Sequence, residues 1–239
     1  MKNINQAKEY DTGYKTMKAS EVGQHYRVGY SIIQSSKLKP SYKLVYAFIL
    51  SYKRSNTNES IVTYQTLREK TGYSYDTLRD SVQKLVDAGF ISVTKRSARG
   101  DNHHSYNIYS FLKIDNLFAQ ITAVFLESTI ITVKEKEFIL LIFPLLLSNN
   151  TIGSLNNPAT NAWISEKTGL DRGTIRKRLE GLKEKQLAEE HSARYGPSYK
   201  YKNVGWEFNM KAIMLDAKEN LVKERNEYYY TCKDYGLLK

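Results

Sequence analysis

The strongest constraint on this chain is a stretch of sequence that occurs twice. Leu67-Arg68-Glu69-Lys70-Thr71-Gly72-Tyr73-Ser74-Tyr75-Asp76-Thr77-Leu78-Arg79 matches Ile164-Ser165-Glu166-Lys167-Thr168-Gly169-Leu170-Asp171-Arg172-Gly173-Thr174-Ile175-Arg176, an offset of 97 from residue 67 to residue 164. Both copies run Glu-Lys-Thr-Gly, an apolar or aromatic residue, a Ser or Asp, and then Thr, an apolar residue and Arg. A glycine that ends one helix, followed by a short polar side chain that opens the next, predicts two helices joined by a tight turn.

The same order of elements flanks each copy. After Lys39-Pro40-Ser41, the residues Tyr42, Val45, Tyr46, Ile49 and Leu50 recur at helical steps, predicting an amphipathic helix that ends near Arg54. Thr63 suits the cap of a short helix through Leu67 to Lys70, and Gly72 its end. Ser74 suits the cap of a longer helix with an inward stripe of Leu78, Val82, Leu85 and Val86, which Gly89 ends. Phe90 to Lys95 and Ser105 to Tyr109 read as strands on either side of a basic loop, Arg96 to Asn102. In the second half, Thr132 and Glu135 fit a capping box for a helix with Phe138, Ile139, Leu141, Ile142, Leu145 and Leu146. A long turn from Gly153 to Pro158 leads to a short helix with Ala162, Trp163 and Ile164 that closes at Thr168-Gly169. Asp171 caps a further helix that buries Ile175, Leu179 and Leu182, and Leu187 leads to a hairpin. Its arms are Ala188 to Ala193 and Tyr199 to Phe208, with Gly196-Pro197 at the tip.

Helix, short helix, tight turn, longer helix and hairpin is the order of a winged helix-turn-helix domain. The expected fold is mainly α with β-hairpin wings: two tandem winged helix-turn-helix domains related by internal duplication. The expected boundaries are an N-terminal arm at 1–28, domain 1 at 29–115, domain 2 at 116–209 and a C-terminal helical tail at 210–239. The arm is polar and lacks a sustained period, so a mobile arm or a short helix is expected there. In the tail, Met210, Ile213, Met214, Ala217, Leu221 and Val222 fit a helix that closes domain 2 or joins two chains in a homodimer.

Composition narrows the partner. With 239 residues there is room for two small domains. Lys and Arg number 36 against 25 Asp and Glu, a formal charge of +11, which favours a polyanion or an anionic membrane surface. The apolar stretch from Phe138 to Leu147 holds Pro144 and is too short to span a bilayer, so it reads as a buried helix and no membrane partner is expected. Cys232 is the single cysteine and forms no internal disulfide, and Met1 to Gln6 leads into no apolar run. A cytoplasmic, reducing location is expected.

The candidate chemistry is DNA reading by the helix after each tight turn. With Leu78, Val82 and Leu85 inward, Tyr75, Asp76, Arg79, Asp80 and Gln83 face out. Arg79 suits guanine and Gln83 adenine in the major groove. Tyr73 and Ser74 suit a phosphate, through a hydroxyl or a backbone N–H. In the second copy Arg172, Thr174, Arg176, Lys177, Glu180 and Lys183 face out. Arg172 and Arg176 are the base-reading candidates and Lys177 a phosphate contact, while Gly173 leaves space for close backbone approach. Lys95, Arg96 and Arg99 make the first wing basic, and Arg194, Lys200 and Lys202 the second. His103 and His104 are adjacent and point to opposite faces of a strand, with no Cys or spaced carboxylate to complete a metal site. No Gly-Lys-Ser/Thr loop, dinucleotide glycine motif or serine elbow is present. No catalytic residue, metal or cofactor is expected.

Leu67 to Phe90 with Tyr106-Asn107-Ile108-Tyr109, and again Ile164 to Leu187, resemble winged helix-turn-helix domains in replication and regulatory proteins of bacterial plasmids and phages. The two-copy arrangement also resembles the TraN-like accessory proteins of Gram-positive conjugative plasmids. That resemblance implies DNA binding near a transfer origin, reading helices at 74–84 and 171–183, and relaxosome proteins as partners. Plasmid replication initiators are similar in having tandem winged domains, which implies replication proteins as partners instead. A winged-helix module that binds protein rather than DNA is the remaining non-enzymatic reading.

Overall fold

The computed structural model describes residues 25–54, 57–97, 105–113, 115–147, 150–153, 159–195 and 200–215. Among them, residues in helices outnumber those in strands. The described residues form two compact units. The first comprises Tyr26–Ile121 and Lys136–Pro144; the second holds His25, Thr122–Glu135 and the chain from Leu145 on.

The first unit opens with β1 (His25–Gly29), α1 (Tyr30–Ile33) and α2 (Pro40–Ser51). Residues 25–28 were expected in an arm, but they pair with β5 (Phe118–Thr122) in a two-stranded sheet. Tyr26 and Val28 are buried there. The segment is too short for its alternation to show in sequence. Pro40 sits in the first turn of α2, where its missing N–H costs nothing. Every residue from Tyr42 to Leu50 is buried, so α2 is enclosed on all sides rather than amphipathic, and it stops at Ser51. Its one ammonium, Lys43, is 5% exposed and donates to the Ile33 carbonyl at 2.6 Å. Burial pulls this group down to about 8.

β2 (Glu59–Val62) follows, then α3 (Tyr64–Thr71), α4 (Tyr75–Asp87), β3 (Ile91–Ser97) and β4 (Ser105–Phe111). The strands form an antiparallel sheet in the order β2-β4-β3. Leu67, Leu78, Val82 and Leu85 are buried as the helical period predicts, but Val86 sits only at the edge of the stripe. Phe48, Ile91 and Tyr109 complete this core.

α6 (Val133–Ile142) lies within both units, with α5 (Ala123–Glu127) preceding it in the second. The capping box forms: Thr132 N–H donates to Glu135 Oε2 at 2.7 Å, and Glu135 N–H to Thr132 Oγ1 at 3.2 Å. α6 stops at Ile142 and a 3-10 turn, Phe143–Leu145, follows. The buried helix expected through Leu147 is therefore shorter. Pro144 lacks an N–H and disfavours helical backbone before it, leaving Leu145 and Leu146 half-buried and Leu147 50% exposed.

The second unit continues with β6 (Thr151–Ile152), α7 (Asn161–Thr168), α8 (Arg172–Glu184), β7 (Ala188–Tyr195), β8 (Lys200–Phe208) and α9 (Met210–Leu215). Its sheet runs β6-β8-β7, with a bulge between His191 and Ser192. Ile175, Leu179 and Leu182 are buried on α8. Gly181 leaves room for Glu135, whose Oε1 would lie 2.7 Å from a Cβ at that position. Glu135 is also bound by Lys185 Nζ at 2.5 Å. α9 buries Met210, Ala212, Ile213 and Met214, and the Thr122 hydroxyl donates to the Met214 carbonyl. Ala217, Leu221 and Val222 lie outside the described residues.

Candidate nucleic-acid interface

The α3–α4 and α7–α8 turns are built from the same bonds. Gly72 and Gly169 take φ of 70° and 73°, left-handed values that strain any residue with a Cβ. The threonine before each glycine does two things. Thr71 Oγ1 donates to the Leu67 carbonyl at 2.6 Å and accepts from Tyr73 N–H at 3.2 Å. Thr168 Oγ1 donates to the Ile164 carbonyl at 2.7 Å and accepts from Leu170 N–H at 3.4 Å. The caps follow. Ser74 Oγ accepts from Thr77 N–H at 3.2 Å, and Asp171 Oδ1 from Thr174 N–H at 2.8 Å. Bonds from the Thr174 hydroxyl and backbone hold the Asp171 carboxyl below its usual range.

The far ends also agree. α4 and α8 each have 13 residues and end in a left-handed residue, Gly89 and Gln186 respectively. Gly89 N–H bonds the Val86 carbonyl at 2.8 Å and Phe90 N–H the Leu85 carbonyl at 3.0 Å. Gln186 N–H bonds the Lys183 carbonyl at 2.9 Å and Leu187 N–H the Leu182 carbonyl at 2.8 Å. Both pairs are Schellman caps. Beyond them, Leu112 N–H meets the Phe90 carbonyl and Asn209 N–H the Leu187 carbonyl, each at 3.0 Å.

On α4, Arg79 and Asp76 project into solvent 3.9 Å apart, with side chains 69% and 93% exposed. Gln83 is exposed and donates to Asp87 Oδ1 at 2.8 Å. Asp80 accepts the Tyr42 hydroxyl, a partner in α2 that its outward position on a helical wheel does not reveal. Tyr75 is 37% exposed and lies under the Arg68 guanidinium, 5.0 Å from its ring centre. Arg68, Gln65, Glu69, Gly72 and Tyr75 line an open notch. The sequence marks Arg68 only by its place one helix before Tyr75.

Tyr73 is bonded within the protein. Its hydroxyl donates to Glu137 and its N–H is bound to Thr71, so both groups offered to a phosphate are used within the protein. Burial first, and then the Glu137 charge, push this phenol far above its usual range. The Ser74 hydroxyl is likewise taken up by the cap, as is that of Thr174, which donates to Asp171.

On α8, Arg172 and Lys177 are exposed and form no ion pair among the described residues. Arg176, 73% exposed, is held by Glu180 at 2.7 Å. Lys183 reaches Glu190 at 3.4 Å. Gly173 is exposed, and a Cβ there would come within 3.2 Å of Asp171 Oδ1. Lys95 is exposed on β3. Arg96 is on β3, Arg194 on β7, and Lys200 and Lys202 on β8, but their side chains lie outside what the structure describes. Arg99, His103, His104 and the Gly196-Pro197 tip lie outside the described residues altogether.

A family model for a helix-turn-helix domain matches residues 36–91. The match takes in α2, β2, α3 and α4. The chain carries a helix-turn-helix DNA-binding domain over that part of its length. No curated protein matches the chain. Helix-turn-helix domains are typically non-catalytic, and among the described residues no group of three or more His, Cys, Asp or Glu is placed to hold a metal ion. No helix among them is long and apolar enough to cross a membrane.

Proposed function

We propose that this chain binds double-stranded DNA sequence-specifically at two neighbouring half-sites, through two winged helix-turn-helix domains that arose by duplication. The carrying observation is the agreement, bond for bond, of two turns, two caps and two sheet connections at the same offset. A domain match to the first member of such a pair supports extending DNA reading to the second. In this reading α4 and α8 each enter a major groove, with Arg79, Gln83, Arg172 and Arg176 toward base edges and Lys177 and Lys183 toward phosphates. The backbone at Ser74, the face of Tyr75, and the basic strands bearing Lys95, Arg96, Arg194, Lys200 and Lys202 lie against the sugar-phosphate backbone of the DNA. The proposed output is transcriptional regulation or accessory binding at a transfer origin of a mobile element, with replication initiation as the alternative.

Selection of duplexes from a random library, followed by footprinting, tests this reading. Two protected half-sites of different sequence are expected, because the outward residues of α4 and α8 differ. A footprint over a single half-site overturns the tandem mechanism. Base reading has its own check. Arg176→Ala and Arg79→Ala should each cost specific binding about 1–3 kcal/mol more than random-sequence binding. Equal losses on both duplexes would remove the two arginines from the base-reading set. One observation favours a second reading for the first unit alone. The outward charge of α4 is net acidic, which suits a protein partner better than a polyanion. Duplex affinity unchanged by Arg79→Ala and Lys95→Ala would favour that alternative.

A further inference from the structure

The first unit contains a cavity of about 250 Å³ that none of the proposed DNA contacts lines. Its walls come from β1, α1, α2, the segment between α2 and β2, the residue before β3, the end of β4 and the chain from there into the start of β5. Three cations lie at it, each over an aromatic ring. Arg27 is 4.6 Å from the centre of Phe118, Lys113 4.5 Å from that of Phe90, and Lys53 6.0 Å from that of Phe111. None of the three forms an ion pair among the described residues. Asp115 is the lone carboxylate among the lining residues, and its Oδ2 is taken by the Ser31 N–H at 3.1 Å and the Ser31 hydroxyl at 2.7 Å.

Tyr46 also lines the cavity. It is 6% exposed and packs edge-on against Phe111, with ring centres 5.5 Å apart. Its hydroxyl makes no hydrogen bond to another described residue. Burial, then the Asp115 charge, push this phenol up to about 12, so it remains a donor at neutral pH. A ligand oxygen or a water in the cavity would give this hydroxyl a partner.

These walls select a chemistry. Unpaired cations and a phenol donor suit an anionic oxygen group. Flat apolar rings suit an aromatic body. The volume lies below the roughly 300–1,000 Å³ of drug-sized pockets, so the occupant is small. We propose that this cavity binds a small aromatic anion, with its carboxylate or phosphate among Arg27, Lys113 and the Tyr46 hydroxyl and its ring against the phenylalanines. The site stands apart from the DNA reading, so either can fail without the other.

Isothermal titration of the full chain with indole carboxylate, adenosine monophosphate, adenosine and inorganic phosphate tests the proposal. One-to-one saturable binding of either aromatic anion is expected, with adenosine and inorganic phosphate at least about tenfold weaker. Binding of the first assigns a carboxylate ligand, and binding of the second a phosphate ligand. Arg27→Ala, Lys113→Ala and Tyr46→Phe should each weaken it by on the order of tenfold. Lys84→Ala, an exposed lysine on α4 away from the cavity, should leave it unchanged. Failure of both aromatic anions to bind overturns the proposal. So does binding that survives Arg27→Ala with Lys113→Ala, or that falls as far with Lys84→Ala.

Discussion

α4 and α8 have the same length, the same capping at both ends and the same inward spacing of apolar residues, yet they carry opposite charge. α4 sets Arg79 and Lys84 against Asp76, Asp80 and Asp87; α8 sets Arg172, Arg176, Lys177, Arg178 and Lys183 against Glu180 and Glu184. What the backbone requires is the same in both, and what solvent sees differs. The threonine, the glycine and the cap build the turn through bonds that few other side chains make. Apart from Asp80, which accepts the Tyr42 hydroxyl, the outward positions have no such duty. In the proposed mechanism α8 supplies most of the attraction to DNA, and α4 adds discrimination with little net charge.

The largest test of that division is a salt titration. Replacing Arg172, Arg176 and Lys177 together by Ala should weaken binding to any duplex by on the order of a thousandfold, from three lost charge-assisted contacts. The slope of log K against log salt should flatten by roughly 2–3. Arg79→Ala should flatten it by about 1 at most. Equal slope changes from the two helices would erase the distinction.

The units also differ in how they bury charge on their early helices. In α6, Glu135 has a side chain 6% exposed, holds the capping box and is paired with Lys185. In α2, Lys43 meets a carbonyl and no carboxylate. Removing the partner in the first case leaves a buried anion; removing the charge in the second leaves a better core. Lys185→Met should therefore cost about 3 kcal/mol of stability, read from urea unfolding. Lys43→Met should cost nothing or stabilise the protein at neutral pH.

The pH dependence separates the two cases further. The folded ammonium of Lys43 titrates near 8, below its ordinary value of 10.5. Between those values the unfolded chain binds the extra proton, so Lys43 makes stability rise with pH across that window. Tyr46 and Tyr109 act oppositely. Burial raises both phenols, the folded chain keeps protons that the unfolded chain has lost, and stability falls as pH climbs past 10. Lys43→Met should abolish the rise and leave the fall. A variant that keeps the rise would show that some other group causes it.

What could be read in advance divides along the same line, between bonds to near neighbours and bonds across the fold. Thr63, Ser74, Thr160 and Asp171 all cap a residue three positions on, so short-range pattern either located these helix starts or placed them within a residue or two. β2 and β6 were not legible, because Glu59-Ser60-Ile61-Val62 and Thr151-Ile152 show no sustained alternation. They are strands because β4 and β8 offer them an edge. The enclosure of α2 was hidden by Lys43 and two tyrosines, which read as a polar face. At the candidate interface, the exposed arginines followed from helical spacing. The loss of Tyr73 to Glu137 and of Asp80 to Tyr42 did not, since those partners are 64 and 38 residues away.

The smallest difference between α4 and α8 is at their ends. Gly89 and Gln186 occupy the same place in the same cap, but only the glycine is at ease there. Gln186 holds a φ of 58°. A left-handed residue with a Cβ costs roughly 1–2 kcal/mol, and the greater freedom of an unfolded glycine returns about 0.5–1 kcal/mol of that advantage. Gln186→Gly should therefore stabilise the chain by roughly 0.5–1 kcal/mol. Gly89→Gln should cost a similar amount, and through backbone strain alone, because a Cβ at Gly89 meets nothing within 4 Å. Duplex binding should be unchanged in both variants, since the cap lies at the end of each helix away from the turn. Urea midpoints that stay put for Gln186→Gly, or move down, would mean that its side chain does something in α8 that the cap geometry does not account for.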